Sequence, residues 1–218
     1  MQKMPALRDE LTKSLPDRLE AIIKERILTA RIPMGSKIGI QELSNEFNIS
    51  STPVRDTLNR LAAQGLVIIN PRVGYYVRQY TKKEASDLFY LRSILETGAL
   101  KLAMDKITDE DIARFRSMNN LYMEKPVDEK YLYRFCTDDT IHAQIIRKSE
   151  NEKLLEVYLK IYDQITVLLH VYPHDPKVLI DHRDMIEAIA SGDIEVAIRA
   201  LESHIAMSLG NIVPYLQG

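Results

Sequence analysis

The sequence predicts a mainly α chain in two parts, three helices with a β-hairpin over residues 16–80 and then an all-α bundle of six helices over 81–218. Three observations carry that expectation. The front part switches from helical to strand-like hydrophobic spacing near Gly65. The back part shows helical stripes and no convincing strand after Tyr80. The charge also changes sign between them. Residues 1–80 hold 12 Lys and Arg against 8 Asp and Glu, while residues 81–218 hold 17 against 23. A basic front part favours a polyanionic partner. The 45% apolar and 28% charged residues exclude a wholly disordered chain, and the lack of any apolar run approaching the roughly 18–20 residues a span needs excludes a transmembrane protein. The first fifteen residues form a charged N-terminal extension without the apolar centre of a secretory signal. With Cys136 as the single cysteine, an internal disulfide and multi-cysteine zinc modules are ruled out, and a cytoplasmic location is expected.

From Pro16 the apolar residues Leu19, Ile22, Ile23 and Ile27 follow a helical face, which Pro33 and Gly35 end. A short second helix carries Leu43 and Phe47 one turn apart. The third follows Ser50-Ser51-Thr52-Pro53, where a serine suits the N-cap and proline suits the first turn. It buries Val54, Leu58 and Leu61, and Gly65 provides its stop. Leu66–Ile69 and Tyr75–Val77 are β-rich runs joined by the turn Asn70-Pro71-Arg72-Val73-Gly74.

Two short helices joined tightly, followed by a hairpin, make a winged helix-turn-helix. Its second helix presents N-terminal residues to base edges and its first amides to phosphates. Ser51, Thr52, Arg55 and Asn59 lie opposite the buried face of that helix. Arg55 suits a guanine or a phosphate, and Arg72 at the hairpin tip suits the minor groove or the backbone.

In the back part, stripes run through Leu88, Leu91, Leu95, Ala99 and Leu102, and then through Ile112, Phe115 and Met118. A third helix is expected over about 129–148, and a fourth through Leu154, Leu155, Tyr158, Ile161, Ile165 and Leu168. The last two cover about 178–190 and 194–213. Of five histidines, His142, His182 and His204 fall on inward-facing stripes. Asp138 stands four residues before His142, a spacing that aims two donors at one spot on a helix. Imidazoles with a carboxylate suit Zn, Ni, Mn or Fe, one divalent transition metal per subunit. His170 and His174 flank Pro173 and are expected in a loop.

The segments Gly35-Ser36-Lys37-Ile38, Glu42-Leu43, Ile49 through Leu61, Gly65-Leu66-Val67 and Arg72 through Val77 resemble the DNA-binding domain of GntR-type bacterial transcription regulators. The likeness runs in register over about residues 17–78. It implies a double-stranded DNA operator met by Gln41, Ser50, Ser51, Thr52, Arg55, Asn59, Arg72 and Gly74. Three positions depart from the family pattern: Ser51 stands where Arg is usual, Gln41 where a basic residue is common, and Met34 where Pro precedes the glycine. The back part resembles the FadR C-terminal (FCD) type of effector domain, in its smaller, VanR-like form. That resemblance matches Asp138, His142, His182 and His204 to metal positions, and Arg92 to an effector-binding arginine facing the cavity. An exposed Arg92 paired with Glu96 at i+4 is the competing expectation.

Together these readings describe a homodimeric, ligand-responsive transcription regulator on a palindromic operator, with a small organic acid bound at or near the metal. No catalytic residue is assigned. Two alternatives stay open at this point, a metal-dependent lyase or hydrolase using the helical pocket, and a pure metal sensor.

Overall fold

The computed structural model describes residues 14–124, 140–169 and 181–217. The chain divides into two compact units, Met1–Gln79 and Tyr80–Gly218.

In the first unit, α1 (Leu15–Leu28) starts at Ser14, with proline in the first turn. It buries Leu19, Ile23, Ile27 and Leu28. Ile22, expected on that face, is exposed, because the buried stripe turns toward Leu28. A two-residue strand β1 (Lys37–Ile38) follows. It was not expected, since two residues carry no periodicity; pairing with a later strand creates it. Gly35 just before it has φ +75, the left-handed region that glycine adopts most cheaply.

Helix α2 (Ile40–Phe47) ends at Asn48, which is left-handed at φ 51. Helix α3 (Ser51–Ala63) has Ser50 at its N-cap and buries Val54, Thr57, Leu58 and Leu61. Gly65, at φ +77, ends it, and Leu66 N–H donates to Leu61 O. Strands β2 (Val67–Asn70) and β3 (Gly74–Val77) pair antiparallel, with Asn70 opposite Gly74. The sheet order is β1-β3-β2, so β3 is central and the β2–β3 turn forms the wing.

The second unit is helical. Helix α4 (Lys82–Ala103) opens with a capping box in which Thr81 and Glu84 satisfy each other's backbone amides. Replacing Thr81 by Ala should cost about 1 kcal/mol in a urea titration of the second unit. Next come α5 (Asp109–Glu124), α6 (Ile141–Lys148), α7 (Glu152–Leu169), α8 (Arg183–Ala190) and α9 (Ile194–Ile212). These are the α-helices of this unit among the described residues, accompanied by short 3-10 turns at Met104–Lys106 and Val213–Tyr215.

Three expectations change here. The inward stripe of α4 is Ala85, Phe89, Arg92, Glu96, Ala99, Leu100 and Ala103, whereas Leu91 and Leu102 are exposed. The expected helix over 129–148 is not continuous. Thr140 is extended (φ −76, ψ 149), and its hydroxyl accepts from Ala143 N–H, so α6 begins at Ile141. Likewise α8 begins at Arg183 rather than near 178, with His182 at its N-cap.

No helix among the described residues is long and apolar enough to cross a membrane.

Candidate functional site

The first unit offers one face of α3 and the wing. Thr52, Arg55 and Asn59 are exposed there, as is Ser50 at the N-cap. Ser51 is half-buried and takes a 3.4 Å hydrogen bond from Ser44 on α2, which ties the two helices of the motif. Asn59 Oδ1 accepts from the Tyr75 hydroxyl at 3.0 Å, so this residue also braces β3 against α3. Gln41, exposed on α2, donates to Asn45 Oδ1 at 3.0 Å. At the wing, Arg72 is exposed with φ 64, and Gly74 has φ 137. Lys37 lies beside that glycine, its Cε 3.2 Å from where a Cβ would sit. This second exposed wing cation escaped the sequence because only β1–β3 pairing brings it there.

The second unit gathers three histidines from separate elements. His142 is on α6, His182 at the start of α8, and His204 on α9. Each offers a ring nitrogen within 4.8 Å of the others. His142 Nε2 and His204 Nε2 are 3.2 Å apart. The ring centroids of His182 lie 5.2 Å from His142 and 4.5 Å from His204.

Backbone chemistry holds these rings in place. His182 N–H donates to Asn119 Oδ1, and Asn119 in turn donates to Asp181. His204 sits in the stripe Ala197, Leu201, His204 and Ser208 that the sequence indicated.

Behind the histidines lies a buried charged network. His142 Nδ1 is 2.6 Å from Glu96 Oε2, and Arg92 Nε donates to Glu96 Oε1 at 2.6 Å. The Tyr158 hydroxyl also donates to Oε1, at 3.4 Å. Arg92 is therefore paired with Glu96 as the competing expectation had it, yet both are buried. Burial by itself would raise the Glu96 carboxyl, but the Arg92 charge and the hydrogen bonds from His142 and Arg92 outweigh it and hold it at about 2. Burial pushes both His142 and His204 below the ordinary imidazole value. The nearby His182 and His142 rings lower His204 further. Neutral imidazoles are the form a metal requires. With Glu96 accepting from Nδ1–H, the His142 lone pair stands on Nε2, toward His204.

These donors fit a divalent transition ion. Two nitrogens bound at about 2.0–2.1 Å to one ion lie roughly 2.9 Å apart at 90° and 3.4 Å apart in a tetrahedron. The observed 3.2 Å falls between. A carboxylate behind a ligating histidine is the usual means of fixing its tautomer. Glu96 is the residue sequence reasoning missed in this role. Its only signal was the i, i+4 spacing from Arg92, which reads equally as a surface pair. Asp138 lies outside the described residues, as do His170 and His174.

A cavity of about 520 Å³ opens beside the histidines, with Arg92, Arg114, Tyr122 and Tyr162 among its walls.

Residues 15–77 match the model of the bacterial regulatory proteins of the gntR family, and residues 87–207, more than half of the chain, match that of the FCD domain. The probable D-xylose utilization operon transcriptional repressor of Paenarthrobacter nicotinovorans is 28% identical over 94% of this chain and 92% of its own. The HTH-type transcriptional repressor RspR of Escherichia coli K12 is 23% identical over 89% and 87%. Among solved structures, a putative GntR regulator from Rhodococcus sp. RHA1 shares the fold with a TM-score of 0.78 at 19% identity, covering 94% of this chain and all of that one. These relatives are regulators, not enzymes, so the lyase or hydrolase alternative has no support. With both models in chain order on the two units, the chain belongs to the gntR family of bacterial regulatory proteins and is a transcriptional regulator carrying an FCD effector domain.

Proposed function

We propose that this regulator works in the cytoplasm as a homodimer on a palindromic operator, and that its operator affinity is set by an organic acid bound at a divalent metal. The observation that carries this is the convergence of His142, His182 and His204 beside a cavity, backed by Glu96 and Arg92. Arg92 and Glu96 cancel in charge, and the buried histidines are neutral. A divalent ion would therefore bring two uncompensated positive charges, which Asp138 and a ligand carboxylate can balance. A pure metal sensor would leave the adjoining cavity without a role.

The ion would join α6, α8 and α9, and through Glu96 also α4. A ligand that completes its coordination favours one arrangement of these helices, and operator affinity changes by the same coupling free energy. Four protein donors close a tetrahedral site, so an octahedral ion with open positions suits an exchangeable effector better.

Two copies suit a two-fold operator. The exposed apolar residues Leu91, Ile94 and Leu102 on α4 support a second copy as their cover, because a helix face can pack against itself about a two-fold axis. Sedimentation should then give a dimer, and Ile94→Glu should shift it toward monomer.

Selection from random duplexes should return an inverted repeat, with binding that weakens steeply as salt rises. Recovery of no enriched half-site would refute the operator reading. On that operator, Arg55→Ala should cost about 1–3 kcal/mol and relax one base position. Arg72→Ala should weaken all sequences more evenly and flatten the salt dependence. Both are read by fluorescence anisotropy over a salt series.

A further inference from the structure

We infer that the effector cavity takes a carboxylate with an apolar body, a straight-chain or aromatic monocarboxylic acid, and discriminates against polyhydroxylated sugar acids. The inference rests on the acid-binding reading above and names the class of acid.

Two observations carry it. The first is an unmet donor. Arg92 is 4% exposed and reaches the cavity wall, with Nε committed to Glu96. Its Nη1 is buried without a hydrogen-bond partner. Glu96 cannot supply the missing acceptor readily, since Oε1 already takes Arg92 Nε and Tyr158, and Oε2 faces His142. A buried guanidinium nitrogen without an acceptor is costly, and a ligand carboxylate oxygen satisfies it.

The second is how the cavity's polar groups are used. Asn119 bonds Asp181 and the His182 amide. The Thr166 hydroxyl donates to Tyr162 O, and the Ser208 hydroxyl to His204 O. Thr140 Oγ1 accepts from Ala143 N–H as the cap of α6. These side chains serve the fold first. Arg114, Tyr162 and the three histidines also line the cavity, and the rest of its wall among the described residues is apolar, from Met118, Leu121, Ile141, Ile165 and Leu169 with the Tyr122 ring. A ligand hydroxyl against that wall leaves water without a replacement partner. Each such hydroxyl should weaken binding roughly tenfold, while methylenes there gain. About 520 Å³ lies within the range of small-molecule sites.

The test is calorimetry and thermal shift on the full-length protein as purified with its metal. Octanoate and phenylacetate are compared with gluconate and glycerate, and octanamide serves as the uncharged control. The expected result is that the two apolar acids raise the melting temperature and bind at least tenfold more tightly than gluconate. Octanamide should lose at least tenfold against octanoate, a comparison that needs no variant. Leu121→Gln, at a half-exposed wall position, should weaken octanoate several-fold without changing the melting temperature of the free protein. Gluconate binding as tightly as octanoate would overturn the proposed class and leave the acid reading standing. Equal binding of octanamide and octanoate would overturn the role of Arg92 and the proposal with it. If neither kind of acid binds, both the class and the acid reading fall.

Discussion

Chelation is expected to lower the melting temperature of the wild-type protein by roughly 5–10 °C, and His204→Ala to abolish that response. An ion that binds only the native state stabilises it by mass action, by about 2.7 kcal/mol at a free concentration one hundredfold over Kd. For a chain of this size that corresponds to a few degrees per kcal/mol. His204 is 5% exposed on α9, and its Nε2 is 3.2 Å from that of His142, so its loss removes one donor and widens the site. Its ring also packs against the other two, so the variant should melt lower than wild type even without metal. The decisive quantity is therefore the difference with and without chelator. His170→Ala should leave that difference intact. If metal-supplemented wild-type protein carries no stoichiometric transition metal by elemental analysis, and its melting is blind to chelator, the three rings form a hydrogen-bonded core cluster in which His204 Nε2–H donates to His142.

Much of the first unit was legible because its signals are local. The extended Ser50 at the N-cap position, the Val54, Leu58 and Leu61 stripe and the Gly65 stop are each set within one or two turns of chain. Strand β1 was not, since only its pairing with Tyr75 and Tyr76 defines it. In the second unit the histidines could be singled out by their inward spacing, but the network behind them could not. Periodicity turned the leucines of α4 inward and its charges outward, following the rule that buried charge is expensive. Here Arg92 and Glu96 neutralise each other, take the buried face, and leave Leu91 and Leu102 outside. The start of α6 was not legible either, because a helix-period argument assumes a helix and the Thr140 N-cap begins this one only at Ile141.

The largest stability effect should come from Glu96→Ala. Its carboxylate is 1% exposed and bonded to Arg92, His142 and Tyr158. Removing it strands the Arg92 charge, itself 4% exposed, with no counterion. Breaking one side of a buried pair costs about 3–5 kcal/mol, and urea unfolding of the second unit should show a loss of that size. The double variant Arg92→Met with Glu96→Leu removes both charges while roughly keeping volume. It should recover most of the loss, because an apolar replacement of a buried pair is often neutral or better. Metal affinity should not recover with it. In either variant His142 Nδ1–H loses its acceptor, the ring loses its fixed tautomer, and affinity should fall about 10–100-fold. Stability restored while metal binding stays weak would separate the two roles of Glu96, as counterion to Arg92 and as orienting partner of His142. A loss below about 1 kcal/mol in Glu96→Ala would mean that water reaches Arg92, because only a solvated guanidinium tolerates losing its partner so cheaply. Double-variant metal affinity equal to wild type would remove Glu96 from the metal site altogether.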